Sequence, residues 1–315
     1  MNMPIKEKKT SVIAKFIILS LVIALSIIIL KDQFAYNLMK NSNRGMEPLM
    51  ERKTIENLYI GSSMFRQGLD PNVLFDYYNS DNYYILSYNG NDPVLTLFEL
   101  SHLINNNVKV QNLYVDMYVY STLGSPQLQD EKLLLDISIK DKYELFRIIS
   151  VDKSIPEKAS YFWRIFITSN NELIFTWLLD QNIISNQFKN GGSTTIAPGQ
   201  TTNSLISYGV PIVDGSMNSI QHKAILGIID LCHRNDINLI FIETPKYITI
   251  HTNKQYNQIL SDYCDILNAN HIPSIIYKRD YDFDSSNPEY YSDSIHLSSK
   301  GKKVFTDILV NLSSL

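Results

Sequence analysis

Five short runs rich in β-branched and aromatic residues recur along the chain, with helix-like segments between them. The runs are "IENLYIG" (Ile55–Gly61), "NYYILSYNG" (Asn82–Gly90), "VQNLYVDMYVY" (Val110–Tyr120), "INLIFIETP" (Ile237–Pro245) and "IPSIIYK" (Ile272–Lys278). Val94, Leu97, Phe98, Leu100, Leu103 and Ile104 repeat at the period of an amphipathic helix, and Asp92-Pro93 supplies its cap and first turn. Asp70-Pro71 opens another helix in the same way. Ser219–His233, Tyr256–Asn270 and Lys300–Leu312 complete the helical pattern. Strands joined by helical crossovers pair in parallel and bury both faces of their sheet. The expected fold is therefore a three-layer α/β/α domain with a five-stranded, mostly parallel sheet. In such folds the chemistry collects at the carboxyl ends of the strands, where Gly61 and Gly90 fall.

Residues 122–217 break this rhythm between the third and fourth strands and read as a helical insertion. "KDKYELFRIIS", "ASYFWRIFITS" and "ELIFTWLLDQN" have helical character, and "FKNGGSTTIAPGQTTNS" is a polar loop. The insertion is either a lid over the site or a passive helical elaboration. Tyr161, Phe162, Trp163 and Phe166 suit a core better than a ligand platform.

The N-terminus sets the location. Lys6, Lys8, Lys9 and Lys15 precede "FIILSLVIALSIIIL" (Phe16–Leu30), and only Lys15 is charged between Ser11 and Leu30. About 20 residues rising 1.5 Å each cover roughly 30 Å, one hydrocarbon core. The basic flank belongs inside the cell. Residues 1–32 are expected to be a basic cytoplasmic tail and an uncleaved signal-anchor helix, 33–53 a tether or first helix, and 54–315 an extracytoplasmic domain. A cleaved signal peptide is the rival, but no small-x-small site follows the run.

A net charge of −4 and the lack of a basic cluster in the body of the chain argue against nucleic acid as a partner. Of the two cysteines, Cys232 and Cys264, neither belongs to a Cys/His cluster, so no structural zinc site is expected. The default for both is a free thiol.

The candidate chemistry lies at the two ends of the domain. "GSS" (Gly61–Ser63) follows the first strand, where the serines serve either a turn or a nucleophile. "YYSDSIHLSSKGKK" places Asp293 three residues before His296, close enough for the carboxylate to reach the imidazole Nδ1–H and fix its tautomer. Taken alone, Asp-x-x-His also describes a helix-capping turn with an incidental histidine. The chain order Ser…Asp…His brings the three groups to one sheet edge. Glu243 in "FIETP" reads as a buried, paired carboxylate, and His102, His222, His233, His251 and His271 read as surface or core residues.

With these residues in view, the chain resembles the SGNH (GDSL-type) hydrolase and acyltransferase superfamily. Gly61-Ser62-Ser63 corresponds to its Gly-Asp-Ser block, with Ser62 at the acidic position and Ser63 at the nucleophile. Gly90 corresponds to the glycine of the second block. Asp293-Ser294-Ile295-His296-Leu297 with Gly301 matches the last block and is the specific part of the likeness. The third block, Gly-x-Asn-Asp, has no counterpart, because "VDMYVYS" carries no asparagine. The resemblance thus implies an oxyanion hole built from the Ser63 and Gly90 N–H groups, with Asn91, Asn89 or Tyr118 as a third donor. No cofactor or metal is implied.

With "GSS…GLDP" and a single N-terminal anchor, the chain resembles the membrane-tethered members, such as the teichoic acid D-alanyl transfer protein and exopolysaccharide O-acetylation proteins. That resemblance implies an extracytoplasmic serine O-acyltransferase acting on a cell-surface or secreted polysaccharide or teichoic acid, with a multi-spanning membrane acyltransferase as partner. An esterase or deacetylase, or a non-catalytic carbohydrate-binding scaffold, are the alternatives.

Overall fold

The computed structural model describes residues 5–39, 44–126, 128–130, 132–169, 171, 174–175, 188–193 and 216–313. In chain order the strands are β1 (Thr54–Gly61), β2 (Tyr83–Ser87), β3 (Lys109–Asp116), β4 (Phe188–Lys189), β5 (Gly192–Ser193), β6 (Asn238–Ile242) and β7 (Ser274–Ile275). The helices are α1 (Ile5–Met39), α2 (Glu47–Arg52), α3 (Ser63–Gly68), α4 (Pro71–Tyr78), α5 (Pro93–Asn105), α6 (Lys132–Leu135), α7 (Ile139–Ile149), α8 (Ile155–Phe162), α9 (Ser219–Arg234), α10 (Ile248–His251), α11 (Lys254–Ala269) and α12 (Ser299–Ser313).

The main sheet has five strands in the order β2-β1-β3-β6-β7, all parallel. The order reverses between β1 and β3, and the crevice at such a switch point is where open α/β sheets place their ligands. Two apolar clusters cover the sheet. One includes Leu58, Ile60, Leu86, Leu113 and Val115 with Leu100, Leu103, Ile225 and Ile228 of α5 and α9. The other joins Tyr59, Ile85 and Ile242 to Phe65 of α3, Leu74 of α4 and Phe305 and Leu309 of α12. This second cluster packs the first helix after β1 against the last helix of the chain. The Asp70 N–H donates to Thr306 Oγ1 (2.8 Å) and ties the two further.

Four of the strands end earlier than their composition suggests, β2 stopping at Ser87. β3 pairs only to Asp116, opposite Ile242 of β6, and Val119–Thr122 then form a 3₁₀ turn. The apolar and aromatic character of "MYVY" therefore continues past the point where a neighbouring strand can pair. β6 itself ends at Ile242, and β7 is reduced to Ser274–Ile275 at the sheet edge. The opposite edge strand, β2, is covered: the Ile85 N–H donates to Asn190 O (2.8 Å) in the β4–β5 turn, an arrangement that blunts edge pairing. Gly191, at φ +80°, suits this contact, because a Cβ there would overlap Ile85 O.

The described residues of 33–53 pack against the domain. α1 continues to Met39, Ala35 is buried against Leu135, and Met46 and Leu49 join the core. The apolar side chains at these positions explain the docking, since each finds a partner in the domain. α1 is long and apolar enough to cross a membrane, and it is the one such helix among the described residues. Of the insertion, "ELIFTWLLDQN" and the polar loop beyond Ser193 lie largely outside the described residues.

Candidate active site

β1 delivers its carboxyl end into Gly61-Ser62-Ser63, and the sharp departure from the strand is built from named contacts. Ser62 caps α3: its Oγ accepts from the Met64 N–H (3.1 Å) and donates to Asp116 Oδ2 (2.6 Å). The Ser62 N–H also points at Asp116 Oδ2 (3.3 Å). A Cβ at Gly61 would overlap the Asp116 side chain, so only glycine lets β3 bring that carboxylate this close. Ser63 takes the first helical position, where its own N–H has no intrahelical acceptor.

The opposite half of the site is an Asx turn. Asp293 Oδ1 accepts from the N–H groups of Ile295 (2.9 Å) and His296 (2.8 Å), which fixes the carboxylate plane. The remaining oxygen, Oδ2, lies 2.7 Å from His296 Nδ1. His296 Nε2 then stands 2.8 Å from Ser63 Oγ. Burial raises the pKa of Asp293, but the hydrogen bond and charge of His296 with the two N–H donors outweigh it, and the net shift is downward. Asp293 is thus an anion that holds the Nδ1–H tautomer and leaves Nε2 facing the serine.

Ser63, Gly90 and His296 line one pocket of about 500 Å³ with Tyr118, Tyr120 and Gln129. Gly90 sits three residues beyond the end of β2 with φ +65°. The carboxamide of Gln129 packs directly on it, since a Cβ at Gly90 would overlap the Gln129 side chain. Neither the Ser63 nor the Gly90 N–H has a hydrogen-bond acceptor among the described residues. Asp130 holds this loop: its carboxylate accepts from the Asn89 N–H (2.9 Å) and pairs with Arg44 and Arg66.

Asn91 does not belong to the oxyanion site. Its side-chain amide is spent inside the protein on Glu99 Oε2 (3.0 Å), Gly61 O and Thr96 Oγ1 (both 3.3 Å), and its N–H donates to Tyr88 O. Asn89 is likewise occupied, with its Oδ1 taken by Arg66. Tyr118 lines the pocket, and burial followed by the charge of Asp116 pushes its hydroxyl up to about 12, so it stays protonated.

The other histidines stand apart. His251 Nε2 accepts from the Lys246 N–H (2.9 Å), and burial with nearby lysine charge pushes the ring down to about 3, so it is neutral. His222, His233 and His271 are exposed, and His102 bonds Asn106 within its own helix terminus. Glu243 is fully buried and accepts from Tyr256 Oη (2.5 Å) and the Tyr277 N–H (3.0 Å). Cys232 and Cys264 are free thiols. No cluster of metal-ligating side chains occurs among the described residues.

Two residues of this site are not singled out by the sequence motifs, Asp116 and Gln129. Asp116 lies inside the third strand run, and Gln129 lies in the insertion with no motif around it. Gly301 in turn has a packing role: a Cβ there would collide with the Tyr290 carbonyl, so the glycine lets α12 start against that backbone.

The domain is a parallel α/β sheet with a Ser–His–Asp constellation at its switch point. No protein-family model matches the chain, and no curated protein matches it. Among solved structures, the chain is similar to a Bacteroides fragilis protein assigned as an acylhydrolase, at 12% identity and TM-score 0.39 over 83% of this chain and 88% of that one. It is also similar to a GDSL-like lipase from Bacteroides thetaiotaomicron, at 11% identity and TM-score 0.39 over 84% and 89%.

Proposed function

We propose that this chain is a membrane-anchored serine acyl-transfer enzyme that cleaves an ester and passes the acyl group to a hydroxyl acceptor. The observation that carries the reading is the relay Ser63 Oγ–His296 Nε2–His296 Nδ1–Asp293 Oδ2, with spacings of 2.8 and 2.7 Å, opening on a pocket. His296 Nε2 accepts the Ser63 proton as Oγ attacks the acyl carbonyl, and Asp293 stabilises the imidazolium that results. The N–H groups of Ser63 and Gly90 receive the oxyanion, and the Gln129 amide supplies the third donor that the "VDMYVYS" strand end lacks. Collapse returns the proton from His296 to the departing alcohol and leaves acyl-Ser63. A second hydroxyl then gives its proton to His296 and attacks the ester, and His296 returns that proton to Ser63 Oγ as the acyl–serine bond breaks.

Water as the second hydroxyl makes the enzyme an esterase, and a sugar or polyol makes it a transferase. The apolar helix beside the domain favours an acceptor held at a membrane, such as an envelope polysaccharide or teichoic acid. A multi-spanning acyl donor protein is the partner this reading calls for. The test uses the full chain in nanodiscs with an activated acetyl ester and a glucan or polyol-phosphate oligomer. Acyl transfer to the oligomer in excess of hydrolysis supports the transferase, and hydrolysis alone reduces the reading to an esterase. Loss of neither activity in Ser63→Ala overturns both.

A further inference from the structure

The insertion carries an apolar face that has no partner among the described residues. α8 buries none of its residues. Its Ile155, Ala159 and Phe162, with Trp163 just beyond, follow i, i+4, i+7 and i+8, so they share one stripe. Ile155 is 84% exposed and Trp163 59%. On α7, Ile139 is 76% exposed and Tyr143 lies one turn further along the same side. Phe146 and Phe166 bridge the helices, with ring centroids 5.9 and 4.8 Å from Phe162 respectively. An exposed apolar surface of this kind marks an interaction site.

What covers it follows from where the insertion is fixed. Ile28 and Ile29 of α1 share a cavity with Ile137, Ile139 and Phe166. Lys31 Nζ donates to Ile167 O (2.7 Å), and Lys142 Nζ lies 3.1 Å from Asp32. Ile28 and Ile29 belong to the apolar run that fills the hydrocarbon core, and Lys31-Asp32 ends it. Side chains packed against those four residues therefore stand at the level where the helix leaves the bilayer. Tyr143 follows Ile139, and Trp163 precedes Phe166, by one helical turn, so both rings lie near that level, where a ring is apolar and its polar tip meets headgroups.

We propose that α7, α8 and Trp163 form an interfacial platform that lies in the leaflet from which α1 emerges, giving the domain a second membrane contact. The occupant is the lipid surface, and the continuity of the face with the α1 exit is the reason. Two contacts, one spanning and one in-plane, hold the domain at a set height over the membrane, which a single flexible stalk does not. The inference rests on α1 being the anchor and is independent of the acyl chemistry.

The test is tryptophan quenching in phosphatidylcholine nanodiscs holding the full chain. Trp177→Phe leaves Trp163 as the sole tryptophan. Lipids brominated near the headgroup end of their acyl chains are expected to remove most of the Trp163 emission, and lipids brominated near the chain ends to remove less. Equal emission in brominated and plain lipids overturns the proposal, whether the emission is that of a solvated indole or the blue-shifted one expected of a protein–protein contact. A companion chain, Leu25→Trp with Trp163→Phe and Trp177→Phe, reports the anchor. Quenching there but not at Trp163 rejects the platform alone, and quenching at neither rejects the anchor with it. A spin label on Ile155→Cys in a Cys264→Ser background gives an independent reading. Collision with oxygen in preference to an aqueous nickel chelate supports the platform, and the reverse preference overturns it.

Discussion

Ser63 Oγ and His296 Nε2 stand 2.8 Å apart although 233 residues separate them along the chain. The contact exists because the helix that begins at Ser63 packs on α12, which begins just after His296, through Phe65 and Phe305 in one cluster. Removing either partner is expected to stop the reaction without unfolding the domain. Ser63→Ala or His296→Ala is predicted to lower ester turnover by about 10³-fold or more, read as kcat with a chromogenic ester. A surviving rate within tenfold of the parent counts against the assignment.

The buried partner of Ser62 leads to a second prediction. Asp116 and Ser62 are both buried, and Asp116 receives both donors of Ser62 through one oxygen. Burial raises the Asp116 pKa, against the pull of the Lys246 charge and the Ser62 hydrogen bonds. Ser62→Asp would set a second carboxylate against the first and is predicted to cost about 3 kcal/mol in denaturant melts. Ser62→Asp combined with Asp116→Asn is predicted to recover most of that loss. If the double variant is no more stable than Ser62→Asp, the two side chains are not coupled as described.

Much of this is written locally, and Asp116 shows where that ends. The apolar runs at β1 and β2 and the caps at Asp70 and Asp92 depend on neighbours within a few residues, so the sequence displays them directly. The Asx turn from Asp293 to His296 is local in the same sense. The Ser62–Asp116 contact instead needs the register of β1 against β3, which pairs Ile60 with Val115, and periodicity does not encode that register. Asn91 misleads for a related reason. It lies beside Gly90 in sequence, but the buried Glu99 of α5 claims its amide. Gln129 reaches Gly90 from the insertion, so no spacing rule points to it.

Glu99 supplies a pH prediction. It is fully buried, and desolvation first, then nearby Asp92 and Asp136, raise its pKa well above the ordinary value despite the Asn91 hydrogen bond. The folded state then binds more protons than the unfolded state above the ordinary glutamate range. Stability contributed by this group is therefore present at low pH and declines as pH rises towards the folded value. Glu99→Gln keeps a neutral side chain at every pH. The melting temperature of the parent, relative to that of Glu99→Gln, is predicted to fall as pH rises through the window above the ordinary glutamate range. A difference that stays constant or grows in the parent's favour over that window contradicts the account.

Gln129 tests the oxyanion reading separately from the nucleophile. It is exposed at the pocket wall, so Gln129→Ala leaves no buried group unpaired. The variant is predicted to lower kcat by about 10²-fold with little change in KM, in keeping with the loss of one preorganised donor. An unchanged kcat removes Gln129 from the site and leaves the two backbone donors alone.

The Gly90 loop depends on Asp130, whose carboxylate faces both Arg44 and Arg66 and caps the Asn89 N–H. Asp130→Ala removes the carboxylate that faces two largely buried guanidinium groups and is predicted to destabilise the domain by about 3 kcal/mol in denaturant melts. A loss below about 1 kcal/mol would place the arginines in water and not on this carboxylate.

The central claim is a covalent acyl-Ser63 intermediate, and trapping it is the most direct measurement. The full chain in nanodiscs is mixed with an activated acetyl ester, quenched in acid within the first turnover and digested, and the peptide bearing Ser63 is weighed. One acetyl group on Ser63, absent in Ser63→Ala and strongly reduced in His296→Ala, is the predicted result. Ester turnover at the parent's rate with no adduct on Ser63, or with an adduct that persists in Ser63→Ala, would contradict the account.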